Sequence, residues 1–365
     1  MAIDYKKEFK KLFKTIAFGS KGIVGLDIGL SSVKIATVES KGGGSFALTG
    51  FTKVNLPEGA IIEDEIQKPE EISEAIRQAA EELKLDGLNC CLGISGPNTV
   101  ARKLQLAGGS ADEIEDQVLW EAEQYLPFDI EESTVDYHLI GENEGGGVDV
   151  IVAAAKNDVI TNFKELVENA GGSVKIADLG ILAVTNVFEL VMGDKLDNPE
   201  EGYLLLDIGA QKTFFVIYKD GMIVFTKEVN VGGVMITEEI QRQMGVNYHE
   251  AEDLKLTGDE NGNLPEEILE IIDDVVETFF SEIKKAIDFY ISSTSDESLS
   301  YCVVTGGSSL IPGLLEGLEA LLGVDVSVLN PFDVISYKEK DFTEEEINQI
   351  AYQGVQVLGL AMRQT

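Results

Sequence analysis

A short segment that occurs twice constrains the fold of this chain more than any other feature of its sequence. Each copy has a glycine, an apolar run, an Asp-Ile-Gly turn and a second apolar run. The copies lie 180 residues apart and align without a gap, which places Asp27 on Asp207 and Gly29 on Gly209. Two apolar runs joined by a tight turn indicate a β-hairpin. The duplication therefore predicts two related halves, each with a carboxylate near the tip of a hairpin.

The composition limits the class of protein. A chain of 365 residues is too long for one small core, so about two lobes are expected. Hydrophobic residues make up 44%, as in globular proteins. The net charge of −37 argues against nucleic acid as a partner, because phosphate backbones attract clustered Lys and Arg. An acidic surface identifies no function by itself.

The three cysteines, Cys90, Cys91 and Cys302, lie in apolar, strand-like runs without the spacing of a metal site. Neighbouring Cys90 and Cys91 should point to opposite faces of a strand, which disfavours a disulfide between them. A reduced, cytoplasmic compartment fits this usage. The sequence contains no run of 18 apolar residues, so no membrane span is expected.

Residues 1–21 differ from the rest of the chain. Six lysines and two acidic residues give this segment a net charge of +4, and its apolar residues recur at helical spacing. A basic amphipathic helix can lie on an anionic membrane surface. The alternative is an arm that packs on the acidic body of the same protein.

Periodicity predicts several further elements. Residues 69–84 form an amphipathic helix that begins at a proline, and 268–290 form a long helix with one buried apolar stripe. Residues 97–172 form an α+β insertion. A last helix begins at Thr343 with a capping box completed by Glu346, and its small residues allow another helix to cross closely. The isolated His138 and His249 are interpreted as structural or exposed.

The Asp-x-Gly turns suggest phosphate chemistry. Glycine lets backbone N–H groups approach an anion, and nearby hydroxyl groups can add hydrogen bonds. The candidate hydroxyls are those of Ser31, Ser32 and Thr213. Asp27 and Asp207 are candidates to hold Mg²⁺ through water molecules, because Mg²⁺ keeps much of its hydration shell. One such turn is also an ordinary tight turn, so the argument depends on the duplication.

A third glycine turn follows a late apolar run. Gly306, Gly307 and Ser308 lead into a predicted helix opened by Pro312, and this bare backbone permits close approach of a ribose and base. The alternative is a strand-to-helix turn that needs positive φ. The chain contains no Gly-x4-Gly-Lys-Ser/Thr motif, which excludes a P-loop as the phosphate site.

This combination of motifs resembles the ATPase superfamily of actin, the heat-shock chaperones and the sugar kinases. Within it, the segment Leu119–Phe128 followed by Asp136 and Tyr137 resembles the PilM family of type IV pilus assembly proteins. The resemblance covers residues 20–365. It implies an α/β, two-lobed actin-like (ribonuclease H-like) ATPase fold with an FtsA/PilM-type 1C subdomain insertion.

The resemblance also implies a domain order. The basic amphipathic segment 1–21 precedes four subdomains. They are subdomain 1A over 22–96, 173–197 and 341–365, subdomain 1C over 97–172, subdomain 2A over 198–240 and 300–340, and subdomain 2B over 241–299.

The same resemblance implies that the chain binds ATP and Mg²⁺. The metal would be held by Asp27 and Asp207. The residues that match the nucleotide motifs of the family are Asp27, Gly29, Ser31, Ser32, Lys34, Asp207, Gly209, Thr213, Glu252, Lys255, Gly306, Gly307 and Ser308. Glu252 and Lys255 are the ribose or adenine candidates among them.

The implied function is a cytoplasmic, ATP-binding, actin-like scaffold of pilus assembly and twitching motility, peripheral at the inner membrane. Its implied partner is the N-terminal tail of a PilN-type inner-membrane protein, bound in a groove between subdomains 1A and 1C. Trp120 and Tyr125 are the partner-binding candidates, with a place in the core as the equal alternative. Pilus motor ATPases are further candidate partners, and residues 1–20 are a candidate membrane contact.

Hydrolysis of ATP is an open question at this stage. The first connecting helix should supply an acid or a glutamine to orient the attacking water, and Asp178 is the sole weak catalytic candidate there. Weak ATPase activity is therefore an open alternative to binding alone. An FtsA-like division protein and a small-molecule kinase of the same superfamily are the alternative functions.

Overall fold

The computed structural model describes residues 23–143, 145–257, 264–294 and 299–363. The basic segment predicted over 1–21 lies outside the described residues. The chain divides into two compact units. The first unit comprises the chain up to Gly193, residues 222–224 and the chain from Asn330 onward, and the second comprises residues 194–221 and 225–329.

The described chain contains both strands and helices, and five strands precede its first helix. The strands are β1 (Val24–Ile28), β2 (Ser32–Gly42), β3 (Ser45–Asn55), β4 (Ile61–Ile62), β5 (Glu65–Ile66), β6 (Asn89–Ile94), β7 (Thr99–Leu106), β8 (Ser133–Glu142), β9 (Val148–Lys156), β10 (Ser173–Leu179), β11 (Gly202–Ile208), β12 (Thr213–Lys219), β13 (Met222–Val229), β14 (Tyr301–Thr305), β15 (Asp325–Val328) and β16 (Ile335–Ser336). The helices are α1 (Pro69–Glu82), α2 (Ala111–Tyr125), α3 (Asn157–Asn169), α4 (Gly180–Met192), α5 (Val234–Met244), α6 (Tyr248–Thr257), α7 (Glu266–Thr294), α8 (Leu314–Leu322), α9 (Glu344–Gln353) and α10 (Val355–Ala361).

Five strands of the first large sheet have the same order as the five strands of the second, and the first sheet adds β16 at its edge. Their strand orders are β10-β6-β1-β2-β3-β16 and β13-β12-β11-β14-β15. In each sheet the central strand, β1 or β11, pairs antiparallel with the strand that follows it. It pairs in parallel with a later strand, β6 or β14, on its other side. The predicted α/β fold with two related halves is therefore confirmed.

The two predicted hairpins agree residue for residue. The last pair before the turn is Ile28 with Val33 in the first hairpin and Ile208 with Thr213 in the second. In each turn the amide of the glycine donates to the carbonyl oxygen three residues later. The N···O distance is 3.0 Å in the first hairpin and 2.8 Å in the second. The duplication seen in the sequence is thus a duplication of backbone geometry.

The first core lies between the first large sheet and helices α1 and α3. Helix α1 begins at Pro69, as predicted, and buries Ile72, Ile76 and Ala79. Cys90 belongs to this core, whereas Cys91 packs on the other side of β6 with Ala183 and Leu360. The two thiols therefore point to opposite faces of their strand, as the sequence predicts.

The insertion has a small core of its own. Helix α2 packs Ile114 and Val118 against the three-stranded sheet, whose order is β7-β9-β8. Helix α3 instead contributes Phe163, Leu166 and Val167 to the first core. The segment 97–172 thus contains a separately packed sheet and helix, followed by a helix that packs on the neighbouring layer.

The predicted helices near the end of the chain are confirmed in most respects. The long helix α7 buries its apolar stripe, including Ile268, Phe279 and Ile283. Thr343 and Glu346 form the predicted capping box at the start of α9. The final helical stretch is interrupted at Gly354, which separates α9 from α10. Among the described helices, α7 included, none is both long and apolar enough to cross a membrane.

Helix α10 crosses its neighbours so closely that their backbones are in contact, as its small residues predict. A Cβ atom added at Gly359 would lie 2.0 Å from the carbonyl oxygen of Ala183 in α4. A Cβ atom added at Gly25 in β1 would lie 2.2 Å from the carbonyl oxygen of Val357. Both distances are far shorter than van der Waals contact. Helix α10 can therefore pack this closely only because residues 25 and 359 are glycines.

We expect Gly25→Ala to lower the free energy of unfolding by about 1–3 kcal/mol, the usual cost of forcing atoms into a packed interior. Gly141→Ala is the matched control, because Gly141 also lies in a strand and a Cβ there would meet nothing within 4 Å. Urea unfolding followed by circular dichroism measures both. Equal unfolding midpoints for the two variants would contradict the crossing described here.

Candidate functional site

The carboxylate of Asp27 is buried at the end of β1 and held by two donors. Lys34 Nζ lies 2.9 Å from Oδ2, and Gln356 Nε2 lies 2.8 Å from Oδ1. Lys34 belongs to the same hairpin, and Gln356 belongs to α10. The predicted metal ligand of the first half is therefore a fixed, charge-compensated carboxylate with acceptor capacity left, since a carboxylate has about four lone-pair sites.

The rest of the first turn combines one exposed and one buried hydroxyl residue. Ser31 is exposed, and its carbonyl oxygen accepts a hydrogen bond from the amide of Leu56 at 2.8 Å. Ser32 is buried at the start of β2. A Cβ atom added at Gly29 would be 3.4 Å from the nearest protein atom, an ordinary contact. No contact among the residues that the structure describes therefore requires glycine at the tip of this turn.

Asp207 lies against the backbone of the third predicted motif. Gly306 has a φ of +96°, and a Cβ atom there would lie 2.4 Å from Asp207 Oδ1. The amide of Ser308 donates to the carbonyl oxygen of Ile208 at 3.0 Å. Gly306 thus needs to be glycine for two reasons, its φ and the nearby carboxylate. The second turn and the Gly306–Ser308 loop are brought together as one structure.

A fourth glycine segment joins them, and the sequence reasoning missed it. The carbonyl oxygen of Gly209 accepts from the amide of Gly233 at 3.1 Å and from Ser308 Oγ at 2.9 Å. A Cβ atom at Gly232 would lie 2.4 Å from the carbonyl oxygen of Ala210. The signal was available, because Gly232-Gly233 is another Gly-Gly pair and directly precedes α5, whereas α8 begins only at Leu314, seven residues after Gly307.

The adenosine candidates Glu252 and Lys255 lie on α6 beside this loop cluster. Lys255 Nζ is 2.6 Å from Glu252 Oε2 and 3.2 Å from the carbonyl oxygen of Gly233. It also lies 2.8 Å from Thr237 Oγ1 on α5, which the sequence reasoning did not single out. The second unit therefore gathers Asp207, Gly209, Gly306, Gly307, Ser308, Glu252 and Lys255 around one set of loops.

Two hydroxyl groups next to these loops have no hydrogen-bond partner among the described residues. They are Oγ1 of Thr305, which pairs in register with Asp207, and Oγ of Ser309. Both residues are buried. An unsatisfied buried hydroxyl costs free energy, which an ordered water or a ligand nearby can relieve.

Thr213 is placed differently from an exposed phosphate ligand. It is fully buried, and its hydroxyl donates to the carbonyl oxygen of Val231 at 2.8 Å. This bond ties the start of β12 to the segment that leads into Gly232 and Gly233. The geometry gives Thr213 a part in holding the loops, and its predicted contact with a phosphate stays a prediction.

The weak catalytic candidate Asp178 is engaged at both carboxylate oxygens. Oδ1 accepts from the amide of Leu179 at 2.9 Å, and Oδ2 forms an ion pair with Arg363, just beyond α10. A general base must be able to accept a proton from water. These two contacts leave lone-pair sites on both oxygens, as at Asp27, so the catalytic role of Asp178 stays a prediction.

The partner-binding candidates lie on the outer face of α2. Trp120 is 61% exposed and Tyr125 45% exposed, so neither belongs to the core of the insertion. The guanidinium of Arg102 lies 4.1 Å from the centroid of the Tyr125 ring, a cation–π contact that orients the ring. Leu119 is exposed beside Trp120. The helix therefore presents an apolar surface at its C-terminal end.

The remaining candidate chemistry can be set aside for the part of the chain that the structure describes. The described residues contain no group of three or more His, Cys, Asp or Glu side chains arranged to hold a metal. Burial raises the pKa of the Cys90 thiol to about 12, and it also raises the pKa of Cys302. These thiols are protonated and unreactive at neutral pH.

We expect Thr213→Val to destabilise the protein by about 1–3 kcal/mol, because the carbonyl group of Val231 loses its hydroxyl donor in a buried place. Thr185→Val is the matched control. Thr185 is also buried, but its hydroxyl donates to the carbonyl oxygen four residues earlier in its own helix. Loss of the Thr185 hydroxyl should change the free energy of unfolding very little. Chemical denaturation measures both, and a stable Thr213→Val variant with weakened nucleotide affinity would indicate direct contact with ligand instead.

Comparisons with known proteins agree with this architecture. A solved structure described as the PilM–PilN type IV pilus biogenesis complex is 26% identical, with a TM-score of 0.82 over 94% of this chain and 98% of that one. The ethanolamine utilization protein EutJ from Carboxydothermus hydrogenoformans shares the fold at 15% identity, with a TM-score of 0.56 over 98% of this chain and 96% of that one.

Relatives with curated names include cell division proteins. FtsA of Enterococcus hirae is 23% identical over 352 residues, which span 84% of this chain and 78% of that protein. The family model described as "Type IV pilus assembly protein PilM" matches residues 25–365, nearly the whole chain. This chain belongs to the PilM family of type IV pilus assembly proteins.

Proposed function

We propose that this protein is a nucleotide-dependent scaffold of type IV pilus assembly, which binds ATP with Mg²⁺ and the cytoplasmic tail of a PilN-type membrane protein. One observation carries the nucleotide part. Asp207, Gly209, Gly306 and Ser308 come from distant parts of the sequence, and they meet in loops that approach one another at backbone distance. Loops of bare backbone with a carboxylate beside them suit a phosphate and its cation.

Each hairpin is proposed to bind phosphate through its own groups. The candidates are the backbone amides at Gly29 and Gly209, the exposed hydroxyl of Ser31, and the ammonium group of Lys34. Glycine at position 29 is not required by any protein contact, which is what a turn that closes on a ligand would show. Each hairpin lies at the carboxyl end of a central strand, where open α/β sheets commonly bind ligands.

Asp27 and Asp207 are each proposed as a carboxylate that binds Mg²⁺ through water. A magnesium ion is usually bound by one or two carboxylates together with phosphates and water, so a dedicated cluster of protein ligands is not needed. The hard oxygen donors of these two residues fit that chemistry. When bound, the ion would neutralise charge on the phosphate oxygens.

The ribose and base would lie against α6 and the Gly306–Ser308 loop. Glu252 and Lys255 are held in place by each other and by Thr237, which preorganises them as hydrogen-bonding groups. Gly307 is exposed in the same loop. Flat access to that backbone is possible because the loop carries no side chain at positions 306 and 307.

Asp27→Asn and Asp207→Asn should each weaken binding of Mg–ATP at least tenfold, because each removes one negative charge from the metal site while preserving side-chain size. Asp220→Asn is the control. Asp220 is exposed in the turn at the opposite end of β12 from the second hairpin turn. Isothermal titration calorimetry gives the three affinities. Wild-type affinity in either site variant would remove that residue from the proposed site.

The proposed partner is the N-terminal tail of a PilN-type inner-membrane protein. The similar solved structure is a PilM–PilN complex. The exposed apolar end of α2, with Trp120 and Tyr125, supports a docking place on the insertion. Residues 1–20 carry the basic amphipathic pattern proposed to touch the inner membrane, and pilus motor ATPases are proposed as cytoplasmic partners. Pilus assembly of this kind would support twitching motility.

Trp120→Ala should weaken binding of a fluorescein-labelled N-terminal peptide from the PilN-type protein of the same organism at least tenfold, because an exposed aromatic anchor dominates such contacts. Fluorescence anisotropy measures the affinity. Gln124→Ala is the control on the same helix, since Gln124 is exposed but polar. Equal affinities for both variants would exclude Trp120 from the interface. Absence of binding by the unaltered protein would refute the proposed partner itself.

A further inference from the structure

The side chain of Gln356 occupies a slot made by two glycines. A Cβ atom added at Gly93 in β6 would lie 2.8 Å from Leu360 Cδ1 and 3.2 Å from Gln356 Nε2. A Cβ atom added at Gly180, the first residue of α4, would lie 2.4 Å from Ser95 Oγ and 2.8 Å from Gln356 Oε1. Neither glycine has a positive φ that would explain it. The two positions without side chains therefore leave space for this amide together with Leu360 and Ser95.

In this slot the amide of Gln356 points toward the carboxylate of Asp27. Gln356 Nε2 donates to Asp27 Oδ1 at 2.8 Å, while Lys34 takes Oδ2. These contacts involve β1, β2 and α10, all within the first unit. The carboxylate is thereby fixed by one donor from its own hairpin and one from a helix 329 residues away in sequence.

Packing alone does not account for a glutamine at this position. Its neighbours on α10, Val355, Val357, Leu358 and Leu360, are buried and apolar, and they attach the helix to its surroundings. The chemistry of the amide does account for it. Lys34 already neutralises Asp27, so a second cation would make the pair net positive and repel a metal ion. A neutral donor orients the carboxylate without adding charge.

We propose that Gln356 is a positioning residue for the metal–nucleotide site: it fixes the carboxylate of Asp27 in the orientation that receives the hydrated Mg²⁺. The inference rests on the proposed nucleotide binding. Outer partners of metal-binding carboxylates are commonly worth 10–100-fold in metal affinity. Because Gln356 contacts the carboxylate of Asp27, its loss should act on the metal-dependent part of nucleotide affinity.

The test measures ATP affinity by calorimetry, once with Mg²⁺ and once with EDTA, for Gln356→Leu and Gly180→Ala. Gln356→Leu keeps most of the side-chain volume and removes the amide. Gly180→Ala keeps the amide but places a methyl group in the slot. The control is Gln353→Leu, because Gln353 Oε1 accepts from Lys53 one helical turn away and does not reach Asp27. Melting temperatures without nucleotide accompany each measurement.

We expect both slot variants to bind ATP 10–100-fold more weakly with Mg²⁺ and within twofold of the unaltered protein without it. The Gln353→Leu variant should match the unaltered protein in both titrations. Unchanged affinity of Gln356→Leu with Mg²⁺ overturns the inference, and so does an equal loss with and without Mg²⁺, which would indicate a structural role. If the unaltered protein binds no ATP, the nucleotide proposal fails and the inference fails with it.

Discussion

The backbone contact of α10 with β1 and α4 is the constraint on which the arrangement of the first unit depends. At Gly25 and Gly359 the neighbouring carbonyl oxygens lie within 2.2 Å of where a Cβ atom would be. Protein interiors are packed as densely as organic crystals, and here no side chain is present that could yield. The position of α10 is therefore fixed closely. The groups that contact the polar residues of α10 are therefore held in place as well.

The placement of α10 positions two polar residues beside carboxylates. Gln356 lies on α10 and Arg363 just beyond its end, seven residues later, which is about two helical turns. They reach Asp27 on β1 and Asp178 on β10. One short helix thus supplies partners for the carboxylates of two strands in the same sheet. One partner of each acid thus comes from the last part of the chain.

The two hairpins share a backbone but are supported by different means. In the first, side chains hold the carboxylate, because Lys34 pairs across the hairpin with Asp27. The corresponding residue in the second hairpin is Phe214, which cannot bind a carboxylate. Asp207 lies instead against Gly306, and the turn is bonded to two glycine loops. The duplicated elements have kept their register while their surroundings have diverged.

Features that depend on a few neighbouring residues could be predicted from the sequence. Contacts between residues far apart in the chain could not. The hairpins, α1 and the capping box at Thr343 follow from period and turn chemistry over a few residues. The exposure of Trp120 could not be predicted from local pattern. Helix α2 has apolar residues on two faces, and the face with Ile114 and Val118 is buried because it packs against the sheet of the insertion. The bond of Gln356 to Asp27 has no local signal at all.

The state of Asp178 bears on what a bound nucleotide would do. Its ion pair with Arg363 and its bond to the amide of Leu179 hold the carboxylate at both oxygens, which leaves only the remaining lone-pair sites for a water molecule. A scaffold does not need turnover. A ligand present at 100 times its dissociation constant stabilises the conformation that binds it by about 2.7 kcal/mol, roughly a hundredfold shift in population. Under the proposed function, occupancy alone is therefore enough to set the form that partners meet.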